Sequence, residues 1–318
     1  MAHSMAGKRM WVAALAGLGL GFGCGGGHNG GTTDVTVDEN AETANSAGET
    51  MSGLDEGGSG AGIAMLSPLD RPRTKLEQFL DLVESPAWAA SCTLTWDSCA
   101  AISGGPAGTT YGKSVSFSNC SLGGIAVDGS VALDFSTSSP FHCTIPNTGD
   151  YFVRLPNIKL SKNGYSVTVA PTTSPAGGQK VTRTGPLAFT FDGLGIERKG
   201  MKPDGGLLFD IVTSTSAPLQ VSYSSAPPTR AGRSVDGGTL VIEHKLASYT
   251  TTLSVQSLQW SATCNCATSG TLTGQNSGSR TGNFKIDLTG CGTATVSGTG
   301  ADGGTFTTNV DVDQCHAT

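Results

Sequence analysis

Cysteine is the residue type in this chain with the clearest potential for chemistry. The 318 residues include nine cysteines. Eight of them fall into two clusters: Cys92, Cys99, Cys120 and Cys143, and then Cys264, Cys266, Cys291 and Cys315. The local spacings of zinc sites are absent, and Cys264-Asn265-Cys266 is one residue short of a redox C-x-x-C. The chemistry of these thiols therefore depends on the compartment, because an oxidising one favours disulfides.

The N-terminal segment indicates that compartment. Two cations, Lys8 and Arg9, precede an apolar run from Met10 to Phe22 that ends at Gly23-Cys24. The run is shorter than the roughly 20 residues that cross a membrane. A cationic start and a short apolar stretch are typical of a secretory signal, here residues 1–23. We therefore expect export, and we expect the eight clustered cysteines to form disulfides.

The end of this segment resembles the lipobox of bacterial lipoproteins, Leu-(Ala/Ser)-(Gly/Ala)-Cys, in which the cysteine is diacylated. Gly23 and Cys24 match it, whereas Gly21 and Phe22 stand where Leu and Ala or Ser are usual. The resemblance implies lipidation at Cys24. Because Gly25 follows rather than Asp, it also implies an anchor in the outer membrane. The alternative is a secreted or periplasmic protein without lipid.

Charge is distributed unevenly along the chain. Residues 24–66 contain seven acids and no Lys or Arg, in a setting of Gly, Ser and Thr. Such a segment has too little apolar surface to offset the entropy of ordering, so we expect an acidic, disordered tether. The remaining residues, 67–318, are almost neutral, with 17 cations and 18 anions. They lack the basic surface of a nucleic-acid-binding protein.

Residues 67–318 are expected to form one β domain that begins with a helix at 70–84. Leu76, Phe79, Leu80 and Val83 follow helical spacing and make a single apolar stripe, which we expect to pack on the β domain. After residue 90 the apolar period changes to two, as in antiparallel strands with one wet face. Clear examples are Val131-Leu133-Phe135, Tyr151-Val153-Leu155 and Phe284-Ile286-Leu288.

Turn signals separate these segments. They are Gly123-Gly124, Asp128-Gly129, Asn163-Gly164, Asp204-Gly205-Gly206, Asp236-Gly237-Gly238 and Asp302-Gly303-Gly304. The predicted fold class is all-β, an antiparallel sandwich or barrel of about a dozen strands with the N-terminal helix packed on it.

The two cysteine clusters have similar spacing, which suggests a duplicated hairpin unit. Cys99-Ala100 and Cys266-Ala267 each lead to a Ser-Gly pair and then to a strand that ends at a cysteine. Duplicated units should share their connectivity, so no bond is expected between the clusters. Within them we expect a nested pattern: Cys99–Cys120 inside Cys92–Cys143, and Cys266–Cys291 inside Cys264–Cys315.

Catalytic patterns are hard to find. The chain has no G-x-S-x-G, H-E-x-x-H or G-x-x-x-x-G-K-[ST] motif. His244 is expected at a strand end, on the surface or rim. A glycosidase needs two neighbouring carboxylates, and the candidates are Asp97, Asp134, Asp210 and Glu243. His142-Cys143 and Cys315-His316 could in principle assemble a Cys2His2 zinc site, but disulfides beside exposed histidines are favoured.

These observations favour a non-enzymatic, lipid-anchored cell-envelope protein with a structural or binding role. We expect no metal and no cofactor. The expected partner is the membrane, reached through the lipid, and a protein or glycan partner is left open. The alternative is a secreted hydrolase of carbohydrate or ester substrates, since large all-β domains can host such sites and a fold does not specify a function.

Overall fold

The computed structural model describes residues 99–103, 106–107, 110–122, 125–136, 147–225, 230–264, 266–299 and 303–311. The predicted signal, tether and helix lie outside these ranges, as do Cys24, Cys92, Cys143 and Cys315. Within the described part, the chain forms one sheet of seventeen strands, and every pairing is antiparallel. The predicted all-β, antiparallel class is therefore confirmed.

The first nine strands are β1 (Ala100–Ser103), β2 (Pro106–Ala107), β3 (Thr110–Leu122), β4 (Ile125–Phe135), β5 (Tyr151–Lys162), β6 (Tyr165–Pro171), β7 (Gly178–Gly185), β8 (Ala188–Met201) and β9 (Leu207–Ala217). The remaining eight are β10 (Leu219–Tyr223), β11 (Arg233–Val235), β12 (Thr239–His244), β13 (Tyr249–Trp260), β14 (Ala267–Gly278), β15 (Gly282–Gly290), β16 (Thr293–Thr299) and β17 (Thr305–Asp311).

The sheet is an up-and-down meander in which each strand pairs with the next position along the chain. Four positions hold two strands in line. These are β1 with β2 beside β3, β6 with β7 between β5 and β8, β9 with β10 after β8, and β11 with β12 before β13. The predicted number of about a dozen strands therefore agrees with the number of strand positions across the sheet. It is lower than the number of separate strands, because four positions contain two strands each.

One face of this sheet carries the apolar core. In β4, Val131, Leu133 and Phe135 are buried in strict alternation with more exposed residues, as the period of two predicts. A single hydrophobic cluster extends from Val115 on β3 to Val296 on β16. Since strands far apart in the meander share that cluster, the sheet must curl so that its apolar face closes on itself.

Strand β5 buries the opposite set of residues from the one expected. Tyr151, Val153 and Leu155 are only partly buried, so their expected place in the core is wrong. The buried set is Phe152, Arg154, Pro156, Ile158 and Leu160. A shift of one residue exchanges the two faces of a strand, and the register here follows Ile158 and Leu160.

This register places a guanidinium inside the core. The Arg154 side chain is only 1% exposed. Its Nε donates to Gln179 Oε1 on β7 at 2.7 Å, and its Nη2 also donates to that oxygen. Burial of a charge without such hydrogen bonds would be very unfavourable. Gln179 thus helps to make the register of β5 tolerable.

A line of irregularities crosses the middle of the sheet. It consists of the 172–177 loop between β6 and β7, a bulge in β8 near Gly195, the break at Pro218 and the 236–238 segment between β11 and β12. A further bulge lies between Gln256 and Gln259 in β13. Bulges and breaks of this kind let strands bend, so this line is where the sheet can fold over its core.

Hydrogen bonds connect these irregularities from strand to strand. The Thr172 N–H donates to the Gly195 carbonyl at 3.1 Å, and the Gly193 N–H donates to Thr215 Oγ1 at 3.0 Å. Farther along, the Ser257 N–H donates to Asp236 Oδ1 at 3.1 Å. Asp236-Gly237-Gly238, predicted as a turn between strands, is therefore a kink within one strand position.

Asp128-Gly129 is a second predicted turn that lies inside a strand. Both residues belong to β4, which begins at Ile125. Asp128 Oδ1 accepts the N–H of Asn119 at 2.7 Å and so stabilises the bulge in β3. Gly129 has a φ of 112°, and a Cβ there would lie 2.1 Å from the Asn157 carbonyl oxygen. The glycine is required for close approach of two backbones, and the expected turn is wrong.

Three glycines on the core side are covered by a phenylalanine from the neighbouring strand. A Cβ on Gly200 would meet the ring of Phe209, one on Gly274 the ring of Phe284, and one on Gly298 the ring of Phe306. Aromatic rings that cover glycines in this way restore packing at positions that lack a side chain. This covering supports packing at Gly274 in β14 and Gly298 in β16, and apolar alternation alone does not reveal it.

Two disulfides have both cysteines among the described residues, and each joins the start of one strand to the end of the strand that pairs with it. Cys99 bonds Cys120 with a Cα separation of 5.3 Å, and this is the pairing expected for the first cluster. Cys264 bonds Cys291 with a Cα separation of 5.6 Å, and Cys266 is also disulfide-bonded. The expected pairs Cys266–Cys291 and Cys264–Cys315 are therefore wrong.

The reason for this error is the alignment of the two units. Cys99 precedes β1, which pairs with β3, and Cys120 lies near the end of β3. Cys264 likewise precedes β14, which pairs with β15, and Cys291 follows β15. The structural equivalent of Cys99 is thus Cys264 and not Cys266, because the disulfide joins the entry of one strand to the exit of its neighbour.

We predict that a non-reducing peptide map will join Cys266 to Cys315. Cys264 and Cys291 are already paired, so Cys315 is the remaining partner within the second cluster. The same reasoning pairs Cys92 with Cys143 in the first cluster. A peptide that links Cys266 to Cys92 or Cys143 would show that the two clusters are not independent.

We predict that Gly274→Ala destabilises the fold by about 1–3 kcal/mol, because the added methyl would lie 2.2 Å from a ring carbon of Phe284. Urea unfolding with the disulfides intact measures this. The control is Gly185→Ala, where the nearest atom is 3.5 Å away, and its effect should stay within about 0.5 kcal/mol. In a Phe284→Leu background the Gly274→Ala penalty should shrink, and an unchanged penalty would disprove the packing explanation.

Candidate functional site

The strongest concentration of charge lies where the β8–β9 and β12–β13 hairpins meet. Glu197 on β8 accepts hydrogen bonds from Lys245 Nζ at 2.6 Å and from Lys199 Nζ at 2.9 Å. Lys199 also contacts Asp210 Oδ2 at 3.6 Å, directly across the β8–β9 pair. These four residues, which we call the charge network, hold two β-hairpins together.

The electrostatics of the charge network favour the ionised forms. The hydrogen bond from Lys245, together with Lys199, lowers the pKa of Glu197 in spite of partial burial. The hydrogen bonds to Glu197 in turn raise the pKa of Lys199 and of Lys245. The network is therefore balanced in charge, and it is suited to joining hairpins rather than to transferring protons.

His244 lies at this end of the sheet but on its opposite, inner face. It is only 5% exposed, so the expected surface or rim position is wrong. Its imidazole stacks on the ring of Tyr249, with centroids 4.2 Å apart and an interplanar angle of 13°. The Arg280 guanidinium covers the same Tyr249 ring at 4.8 Å. Leu240 and Ile242 precede His244 with a period of two, and that signal could have placed it inside.

Burial makes His244 a neutral imidazole at physiological pH. Desolvation, helped by the positive charge of Arg280, lowers its pKa to about 4. Its Nε2 has no hydrogen-bond partner among the residues that the structure describes. A neutral imidazole held against an aromatic ring contributes packing, and protonation would place an uncompensated charge in the core.

Two buried arginines, Arg154 and Arg233, belong to no motif visible in the sequence. Arg154 belongs to β5, and its side chain is buried on the core side of that strand. Arg233 is 3% exposed, donates from Nε to the Tyr223 hydroxyl at 3.2 Å and lies over the Trp260 ring at 5.3 Å. Tyr and Trp are common partners of a desolvated guanidinium, so these contacts are cation–π packing inside the core.

The structure describes three of the four predicted carboxylates. Asp134 lies on β4 opposite Val153, whereas Asp210 belongs to the charge network. Glu243 is exposed on β12, and Asp97 lies outside the described residues. A glycosidase acid needs a raised pKa. Within the described ranges, the two acids with a resolved shift, Glu197 and Asp287, both have a lowered pKa.

Three cations, Arg198, Lys199 and Lys202, lie close together in the sequence at the end of β8. Arg198 is half-buried in β8 beside Val169, and Lys199 is paired with Glu197 and Asp210.

The described residues contain no group of three or more His, Cys, Asp or Glu side chains that could hold a metal ion. His28, His142 and His316 lie outside them, so the zinc alternative stays untested. Across the described ranges, no helix is long and apolar enough to cross a membrane.

Comparison with known proteins identifies no relative. No protein family, no curated protein and no solved structure matches this chain.

We predict that stability falls as the pH drops from about 6.5 to about 4, with His244 contributing up to about 3 kcal/mol. Below its ordinary pKa of 6.5 this histidine binds a proton in the unfolded chain, whereas in the folded chain it stays neutral until about pH 4. Protonation over this range therefore favours unfolding. Urea unfolding at pH 7.5 and pH 4.5 measures the effect.

His244→Phe keeps an aromatic ring on Tyr249 and removes the titration, so its stability should change less over the same pH range. His28→Phe, in the predicted tether, is the matched control and should behave like the original chain. An equal loss of stability in His244→Phe and the original chain would assign the pH dependence to other groups.

Proposed function

We propose that this chain is an exported cell-envelope protein, anchored by a lipid on Cys24, whose β domain has a structural or binding role. The observation that carries the proposal is the Gly23-Cys24 pair at the end of a cationic and then apolar segment. Such a segment directs export, and a lipobox-like cysteine at its end is where bacterial lipoproteins receive their lipid.

The disulfides support export. Cys99–Cys120 and Cys264–Cys291 are typical of an oxidising, non-cytoplasmic compartment. Disulfides also suit a domain that functions away from the chaperones of the cytoplasm. Each closes a loop of between 20 and 30 residues and is worth about 3 kcal/mol in the chain-entropy model.

The polar groups of the β domain support a structural or binding role over catalysis. The charge network pairs each of its cations with a carboxylate, and the His244 imidazole is stacked and enclosed. Catalytic acids and bases need a perturbed pKa matched to proton transfer and access to a substrate. In the described part of the chain, the shifts instead favour ion pairs and packing.

The proposed arrangement places the β domain at a distance from the membrane. An acidic tether of residues 24–66 would leave the domain free to move, with an r.m.s. reach of roughly 35 Å for a flexible chain of that length. We further propose that the helix at 70–84 covers an open end of the sheet with its apolar stripe. The sheet then closes as a sandwich or barrel around the core.

Cys24 is tested by its lipid. We expect the mature N-terminus to be a diacylated Cys24 in mass spectrometry, and we expect the protein to partition with detergent in phase separation. Cys24→Ser should leave an unprocessed or soluble form. Cys92→Ser, which removes a predicted disulfide cysteine, is the control and should still partition with detergent. An original chain in the soluble fraction with a mature N-terminus other than Cys24 would refute the anchor.

A further inference from the structure

Two leucines at the tips of neighbouring hairpins are exposed to solvent. Leu246, in the turn between β12 and β13, is 54% exposed, and Leu207, the first residue of β9, is 40% exposed. They lie at the same end of the sheet, because the Lys245 N–H donates to the carbonyl of Asp210 on β9 at 2.9 Å. Single exposed leucines are common on protein surfaces, but two at one end of a domain point to a contact surface.

Several hairpin turns meet at this end, which we call the leucine end. The β5–β6 turn lies against the β8–β9 turn, since a Cβ on Gly164 would be 3.0 Å from the Cβ of Pro203. The β14–β15 turn lies against the β12–β13 turn, since the Ser279 N–H donates to the Ser248 carbonyl at 2.9 Å. The two leucines therefore belong to a rim made of four hairpin turns.

This rim is cationic, although the chain as a whole has a net charge of −6. Seven cations and four acids lie in the segments that form it: 159–165, 197–210, 243–249 and 279–281. Lys199 and Lys245 pair with Glu197 in the charge network, yet their side chains stay 38% and 37% exposed. Exposed leucines among cations suit an anionic lipid membrane, in which leucine enters the interface and lysine meets the head groups.

The N-terminal part of the chain joins the domain at the leucine end. Cys99 is the first described residue, and its carbonyl accepts the Ser118 N–H at 3.0 Å. It is also bonded to Cys120, near the end of β3. The register shows that β3 ends and β4 begins at the same end of the sheet as the β5–β6 turn. Residues 1–98, which include Cys24, are therefore attached at the end that carries the leucines.

We propose that the leucine end docks on an anionic lipid membrane, with Leu207 and Leu246 in the interface and the surrounding cations at lipid phosphate groups. The inference rests on the proposed lipid anchor and adds an orientation to it, in which the hairpin rim faces the bilayer. Two half-exposed leucines bind a membrane weakly by themselves. Attachment through Cys24 makes this weak contact intramolecular and so raises its effective concentration.

The test measures vesicle binding by a mature chain that carries no lipid. Residues 1–23 are exchanged for a signal peptide that ordinary signal peptidase removes, and Cys24→Ser prevents acylation. We expect this chain to sediment with vesicles that contain phosphatidylglycerol, to bind phosphatidylcholine vesicles more weakly and to be released by salt. Because no lipid is attached, the result is independent of the acylation of Cys24, which mass spectrometry of the original chain decides separately.

The leucines are tested together. The double variant Leu207→Ser, Leu246→Ser should lower the vesicle partition coefficient at least about fivefold, because it removes the apolar part of the contact. Leu246→Trp should keep the binding, since tryptophan favours the membrane interface. Both positions are exposed, so the urea midpoint of each variant should stay that of the original chain.

Lys202→Gln and Thr184→Glu form a matched pair, since each lowers the net charge by one unit. Lys202 is exposed in the β8–β9 turn, whereas Thr184 is exposed near the end of β7, at the opposite end of the sheet. Only Lys202→Gln should weaken binding, by about fivefold.

The proposal is overturned if the chain without lipid does not bind anionic vesicles, or if the double serine variant binds as well as the original sequence. Self-association without vesicles that the double serine variant abolishes would also overturn it, by assigning the leucines to a contact with a second copy of the chain.

Discussion

The fold depends on burying one face of a single antiparallel meander. Backbone hydrogen bonds hold each strand to its neighbours, and the period of two then assigns every side chain to the core or to the outer face. The continuous cluster from β3 to β16 results from this assignment. Once a strand's register is set by its strongest apolar residues, the other residues of that face must enter the core as well.

This constraint explains the buried polar groups. Arg154 enters with Ile158 and Leu160 and is satisfied by Gln179. His244 enters behind Leu240 and Ile242 and stacks on Tyr249. Thr251 and Asn276 enter as a cross-strand pair and bond to each other at 2.6 Å. Arg154 and the Thr251–Asn276 pair are hydrogen-bonded to an adjacent strand, whereas His244 is held there by ring stacking.

The two faces of the sheet have separate tasks at the hairpin end. On the outer face the charge network connects β8, β9 and the β12–β13 hairpin with hydrogen-bonded ion pairs. On the inner face His244, Tyr249 and Arg280 stack behind the apolar core. The line of bulges and breaks lies farther along the strands, where the sheet can bend without disturbing either cluster.

The sequence by itself determined the fold class and most strands. Alternation at Val131, Leu133 and Phe135 needs no tertiary information, because the pleat alone assigns those residues to one face. It also determined that the eight clustered cysteines are disulfide candidates and that Asn163-Gly164 and Asp204-Gly205-Gly206 are turns, which the structure places between β5 and β6 and between β8 and β9. These are local properties of the chain.

The tertiary structure decided what depends on neighbours distant in sequence. In β5 both alternate sets contain apolar residues, so only packing could select the one with Arg154. The sequence around Gly129 and Asp236 predicts turns. In the structure, Gly129 lies in close contact with the backbone of the adjacent strand, and Asp236 accepts a hydrogen bond from Ser257 at the bulge in β13. The pairing of Cys264 with Cys291 depends on which loop lies beside the end of β15, and cysteine spacing does not contain that distance.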